Sequence, residues 1–544
     1  MSTRASFEGL PLEIITGILG HLRHSKKILA DVSLVSKKLH SLASPLLYDT
    51  IVLNIGGFCQ SVARRYRSLF VNGHQSFHFI RNFGFKGKAG EFDTGKSQTF
   101  EAFNWIALGL LRHLENGQLR NFIWFTDFAL TEIILSELKD RQKFLQGVWV
   151  SNGGAKSSCF VDDLLFKTIR TSNYIQHLHF TGIANFRDLW YLLQNHTTIP
   201  KNLQSLTISI SDSQILQNVL ALIQRPKSEE FTTVTERSLL WNTPKLPNLK
   251  YLSLKGIGPD FLETPKIHTR IDQILDVNKL LTLKLIDTAG ISTTLNELQK
   301  LPMRLKAFHL RTKSHEKAIE GFLTSFTGLE ELYLDLMDFQ LENLQNNLGL
   351  ENHNSTLLKL FMQIKCEDNE KDASGFFSDF LEGRNTFPEL LELAIPCQPK
   401  DLLNLGIRYE CLLPKLGLLW LLIDVEDWGD KDIEQDALTT ALRPLYRFDT
   451  DGTKVPFVAI GNRSRNQWPL VFELCEAPSV SGYIGTSLNY VSHRNLFKHN
   501  PDLTMLNIEM DWLPWQETRD FVDSVCESDF YNLWIYDESL FDYL

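Results

Sequence analysis

A six-residue pattern, apolar-x-x-apolar-x-apolar, returns along this chain in near-constant steps and limits what the chain can fold into. Its copies begin with Ile175, Leu178 and Phe180, then Leu203, Leu206 and Ile208, then Leu249, Leu252 and Leu254. They continue from Leu280, Leu305, Leu329, Leu357, Leu390 and Leu416, and weaker copies start at Leu119, Leu145, Leu503 and Phe530. From 249 to 416 the steps are 31, 25, 24, 28, 33 and 26 residues. Between copies the spacing turns helical: in residues 316–326, Ile319, Phe322, Leu323 and Phe326 share one face. One short strand and one helix cannot bury their own apolar faces, so such units must stack on one another. The long steps after 203 and 416 call for insertions, with residues 225–247 and 427–436 as loops.

The N-terminal segment follows a different rhythm. Leu10, Ile14, Ile18 and Leu22 recur every four residues, with Ile15 and Leu19 in the adjacent row. That gives a helix whose apolar face is wider than a small domain can cover alone. Pro11 suits the first turn, and Glu13 sits near the positive helix end. Gly17 and Gly20 cost about 1 kcal/mol each inside a helix, so packing must hold it. Ile28, Leu29 and Val32 start a second helix after Ser25. Leu34, Val35, Leu39, Leu42 and Ala43 mark a third that ends before Pro45, and residues 46–53 read as a strand.

With LPLEIITGIL followed by SLVSKKLHSLASPLLYDTIVL, residues 8–53 resemble an F-box, especially its fungal form. The repeats are similar to the degenerate leucine-rich repeats of F-box proteins, since the asparagine expected after each strand is mostly missing. The expected fold is therefore α/β, an N-terminal three-helix F-box followed by a leucine-rich-repeat-like strand–helix solenoid. The segments would be the F-box (8–53), a linker with irregular first repeats (54–174), the solenoid (175–428), and irregular C-terminal repeats with an acidic cap (429–544). The resemblance implies docking to a Skp-type adaptor through Leu10, Pro11, Ile14, Ile18, Leu22, Leu34, Val35 and Leu39. Through that adaptor it implies a cullin scaffold, making the chain a substrate-recognition subunit of a Skp–cullin–F-box ubiquitin ligase with no catalytic residues. The alternative is an F-box scaffold in a cullin-independent Skp complex.

Composition agrees with an intracellular soluble adaptor, cytoplasmic or nuclear. Mean hydropathy is −0.13, and no apolar run approaches the roughly 18 residues of a membrane span. A net charge of −10 speaks against general nucleic-acid binding. From Glu509 onward there are ten acids and one Arg, a net of −9. The seven cysteines never form CxxC, so neither a zinc nor a disulfide framework is expected. Neither cofactor nor metal is implied.

One motif points to another class. Gly90, Gly95, Lys96 and Ser97 fit the phosphate-binding pattern G-x-x-x-x-G-K-[ST], which would make the chain an NTPase. The loop, however, sets Glu91 and Asp93 among the phosphate contacts, and Lys86 to Ala89 ahead of it do not read as a strand. It is therefore expected to be a solvated loop. His177 and His179 alternate on one strand face and read as a solvent-facing pair rather than metal ligands.

The client is expected on the strand face opposite the paired leucines, because side chains alternate along a strand. That face offers Tyr251, Lys255, Lys284, His309, Arg311, Tyr333 and Trp420. It runs from basic, through acidic, to apolar, for a client with acidic or phosphorylated residues near Lys255, Lys284 and Arg311 and a hydrophobic anchor toward Trp420.

Overall fold

The computed structural model describes residues 10–22, 26–54, 77–87, 96–126, 130–152, 174–183, 202–210, 246–256, 276–288, 291–313, 316–337, 348–365, 387–396, 415–422, 457–460, 470–477 and 485–490. The chain forms two compact units, Met1–Leu252 with Trp512–Leu544, and Ser253–Asp511. The boundary falls inside strand β7 (Tyr251–Lys255).

Unit 1 opens with α1 (Leu12–His21), α2 (Lys26–Val35) and α3 (Lys37–Tyr48). Ile15, Leu19, Leu29, Leu39 and Ala43 form their common core, and Leu22, Val32, Leu42, Leu46 and Leu47 pack against it. The helix boundaries differ from the sequence reading. Leu34 and Val35 close α2, and the Ser36 side chain caps α3 by accepting from the Leu39 N–H at 3.3 Å. Pro45 lies inside α3, which runs three residues further to Tyr48. A proline there forfeits one backbone hydrogen bond, but Leu46 and Leu47 are held by the core.

Strands β1 (Thr50–Asn54), β2 (Asn82–Gly87), β3 (Asn121–Thr126), β4 (Gly147–Asn152), β5 (His177–Ile183) and β6 (Ser205–Ile210) follow in order, each parallel to the next. Helices α4 (Lys96–His113) and α5 (Glu132–Arg141) join β2 to β3 and β3 to β4. Register aligns Ile51, Phe83, Phe122, Val148, Leu178 and Leu206 in one buried row, and the residues two positions later in a second. Repeat stacking thus begins at residue 50, and the segment read as irregular continues it in register.

Unit 2 contains β8 (Thr282–Ile286), β9 (Ala307–Lys313), β10 (Glu331–Met337), β11 (Lys359–Lys365), β12 (Glu392–Pro396), β13 (Leu418–Leu422) and β14 (Phe457–Ile460), again parallel in chain order. Helices α6 (Ile291–Leu298) and α7 (Glu316–Thr324) cover the leucine side, where the Phe322 ring meets Phe308 at 4.9 Å. The last strands, β15 (Leu470–Ala477) and β16 (Gly485–Tyr490), turn antiparallel. The weak repeats starting at Leu503 and Phe530 lie outside the described residues.

A single hydrogen-bond device recurs at the repeat junctions. The N–H groups of Arg120 and Asn121 both donate to the carbonyl of Arg81, those of Gln146 and Gly147 to Arg120, and those of Gln176 and His177 to Gln146. In unit 2, Glu330 and Glu331 likewise share the carbonyl of Lys306, and Leu358 and Lys359 that of Glu330. Each strand thereby starts one step along from the strand before it.

Where the usual asparagine is missing, other buried polar side chains satisfy the turn. Gln118 donates to the carbonyl of Ile80 at 2.8 Å and also to that of Phe77. Gln142 accepts from the Leu119 N–H at 3.0 Å and donates to the carbonyl of Glu115 at 3.1 Å. His353 does the same work in unit 2, between Leu329 and Leu323.

Candidate functional site

Once α1–α3 have closed their own core, a second set of apolar side chains remains in solvent. Leu10, Leu12, Ile14, Ile18, Leu34 and Val35 are all exposed, Ile14 at 51% and Val35 at 69%. They are six of the ten large hydrophobic side chains exposed among the described residues, although they come from only 26 positions. Pro11 is exposed beside them. Helix periodicity explains the split: Ile15 and Leu19 turn inward while Ile14 and Ile18 turn outward. Gly17 and Gly20 are exposed too, and a Cβ added at either would meet nothing within 4 Å. Among the described residues no packing offsets the cost of these glycines. They leave a bare stretch of backbone beside the apolar stripe.

Two of the expected docking residues lie elsewhere. Leu39 is 2% exposed and belongs to the helical core, and Leu22 is half-buried against that core. Leu39 cannot reach a partner without opening the box, whereas Leu22, just past the end of α1, keeps part of its surface exposed. Leu12 belongs to the exposed set, and helix spacing, which groups it with Ile15 and Leu19, gives no sign of that.

The expected client face is corrected more deeply. Tyr251, Lys284, His309 and Trp420 are buried, Trp420 to 1% exposure, while Lys255 and Tyr333 are half-buried. Tyr333 stacks on Phe361 at 4.2 Å and touches His309 at 5.6 Å. Phe361 and Trp420 meet at 5.5 Å although a strand separates them, because Ala394 stands between them in register. Trp420 is thus a packed residue, not an exposed anchor. The strip is not basic either. Arg311 lies 3.4 Å from Asp287 and 3.5 Å from Asp335, and Lys359 lies between Glu331 (3.1 Å) and Glu392 (3.6 Å). Cations bracketed by carboxylates on neighbouring strands have little attraction left for a phosphate.

His177 and His179 are likewise not solvent-facing. Trp149 leans over Gly147, whose missing Cβ leaves room for the indole, and stacks on His177 at 6.2 Å. His179 meets Phe125 edge-on at 6.0 Å. Burial lowers the pKa of His177 to about 4 and that of His179 to about 3, so both rings are neutral. No group of three or more potential metal ligands occurs among the described residues. No helix among them is long and apolar enough to cross a membrane.

The phosphate-loop motif is placed by its flanks alone, since residues 88–95 lie outside the described residues. A strand does precede it, contrary to expectation: β2 ends at Gly87, and α4 begins at Lys96. A helix also follows β3, as α5, and β9, as α7, so a strand leading to a helix is not particular to this motif. The acidic Glu91 and Asp93 remain the argument against a phosphate there.

No protein-family model matches this chain, and no curated protein matches it. Among solved structures it is similar to the crystal structure of the Rad7 and Elc1 complex in yeast. Identity is 12% and the TM-score 0.35, over 77% of this chain and 94% of that one.

Proposed function

We propose that this chain is a non-catalytic adaptor that docks to a Skp-type protein through α1 and α2 and presents its repeats to a protein client. The observation that carries this reading is the exposed apolar face of the helical box. A monomer has no use for six large exposed apolar side chains within 26 residues, and such patches mark interfaces. Burying each contributes about 1.5–3 kcal/mol before the costs of association, enough for stable docking. The F-box resemblance supplies the partner class, and a cullin would be reached through that partner. Ile14→Asp combined with Ile18→Asp should abolish co-purification with a Skp-type adaptor and leave the thermal melt unchanged. Undiminished capture by that double variant would sink the reading.

A further inference from the structure

In both units the turns that lead into the strands form one edge of the sheet, and the charges on the two edges are paired differently. On the unit 2 edge, Lys306 bonds Glu330 at 2.6 Å and Lys415 bonds Glu389 at 2.6 Å, each pair linking adjacent repeats. On the unit 1 edge, Arg120 and Lys143 are exposed and have no ion-pair partner among the described residues, and one acid, Glu115, is exposed in the turn before Arg120. The surrounding sequence has the same bias. Residues 1–252 carry 28 Lys or Arg against 19 Asp or Glu, a net of +9, and residues 512–544, which complete unit 1, carry 1 against 8, a net of −7; residues 253–511 carry 26 against 38, a net of −12.

The same edge carries an exposed aromatic pair, Phe144 next to Lys143 in sequence and Tyr174 in the turn of the following repeat. Phe144 and Tyr174, 52% and 50% exposed, meet edge-to-face at 5.1 Å. Phe144 lies over Gly117, where φ is +74° and a side chain would collide with the ring. The turn beneath is fixed by Arg141, which donates to Asn116 Oδ1 at 2.7 Å and to the carbonyls of Arg112 at 2.8 Å and Leu114 at 2.7 Å. Beside the aromatics, Gln146, Gln176 and Gln204 form a row along the shared-carbonyl junctions, and Gln204 donates to Gln176 Oε1 at 3.3 Å. Exposed aromatic and arginine side chains held on a rigid turn are the composition of interface hot spots.

We infer that this edge of unit 1 docks an extended acidic segment of a client protein. The segment's carboxylates would lie against Arg120 and Lys143, an apolar or aromatic side chain on Phe144 and Tyr174, and its main chain along the glutamine row. The inference extends the client half of the reading above and is independent of the adaptor half. It moves the client from the buried sheet face to the edge.

The test uses the purified full-length chain and a fluorescein-labelled random copolymer of glutamate and tyrosine, followed by anisotropy. The parent should bind, and more weakly as salt rises. Arg120→Glu with Lys143→Glu should weaken binding by about tenfold or more, and Phe144→Ser with Tyr174→Ser by a similar factor. Melting temperatures should hold, since none of these side chains is buried. No binding by the parent, or binding by either double variant as tight as the parent's, overturns the assignment. So does tighter binding of an oligothymidylate of matched charge, which would make the edge a nucleic-acid surface. Binding that appears only after deletion of residues 509–544 would assign the edge to the chain's own acidic C-terminus, and would overturn it as well. Capture of a Skp-type adaptor by the same variants reports separately on the adaptor reading.

Discussion

The Nδ1 atom of His353 accepts the backbone N–H of Leu329 at 3.3 Å, while Nε2 faces the carbonyl of Leu323 at 3.0 Å. An accepting Nδ1 requires the neutral ring with its proton on Nε2. Burial lowers the His353 pKa, and the bond to Leu323 opposes that shift without cancelling it. A folded pKa below the unfolded one means that the unfolded chain binds more protons in this window. The stabilisation is therefore complete above the ordinary histidine value of about 6.5 and is lost as pH falls below it. Melting of unit 2 should become acid-sensitive there, and His353→Ala should flatten that dependence. The same variant should cost about 1–3 kcal/mol, because the Leu329 N–H stays buried without its acceptor. His353→Gln should recover much of the loss, as Gln142 performs the same task at Leu119.

Unit 1 should respond to acid for a related reason. His177 and His179 have pKa values lowered to about 4 and about 3 by burial alone. Their neutral forms stabilise the fold fully above about 6.5, and the contribution declines as pH falls toward those values. Replacing His179 with Phe should shift the acid midpoint of unit 1 downward. An unchanged midpoint would show that the imidazole is not the sensitive group.

Leu39 and Val35 separate folding from docking. Leu39→Ala opens the box core and should cost about 2–5 kcal/mol. Val35→Asp changes a residue in solvent and should leave the melt unmoved while reducing adaptor capture. If the two variants behave alike in both assays, the division of α1–α3 into core and docking faces is wrong.

Gly17→Ala and Gly20→Ala offer a sharper version of the same contrast. Each should stabilise α1 by up to about 1 kcal/mol, since the added methyl group meets nothing in the chain. Capture of a Skp-type adaptor should weaken, because the methyl groups would stand where a partner approaches the bare backbone. A calorimetric melt and a pull-down on the same samples decide it.

Lys96→Ala should alter neither stability nor nucleotide content. ATP binding that disappears with this substitution would revive the phosphate-loop reading despite Glu91 and Asp93.

The repeats were legible in sequence because their leucines occupy the rows that register aligns, and a strand out of step would put its apolar set on the wrong face. The start of the stack was less legible. The copy from Leu119 runs through Phe122 and Trp124, and Phe83 and Phe85 fill the same positions one strand earlier, with aromatics where later repeats carry leucines. The end of α3 was misread because a proline usually stops a helix, and here Leu46 and Leu47 are tied down by the core. The box face was half legible: helix spacing finds apolar residues, but cannot say that Ile14 faces out while Leu39 faces in. The client face failed for a packing reason. Alternation places Trp420 opposite the leucines, yet Ala394 beside it opens the gap in which its ring meets Phe361. Exposure depends on neighbours from distant repeats, and no single strand encodes it.

The shared-carbonyl junctions also bear on how the chain would respond to force. Within a unit, each repeat is joined to the next by two N–H groups on one carbonyl and by the strand pairing beyond it. Tension along the stacking direction loads these joints in series, so each must bear the full pull and the weakest yields first. A unit stretched from its ends should lengthen in discrete steps of about one repeat each, unlike a domain whose contacts rupture together.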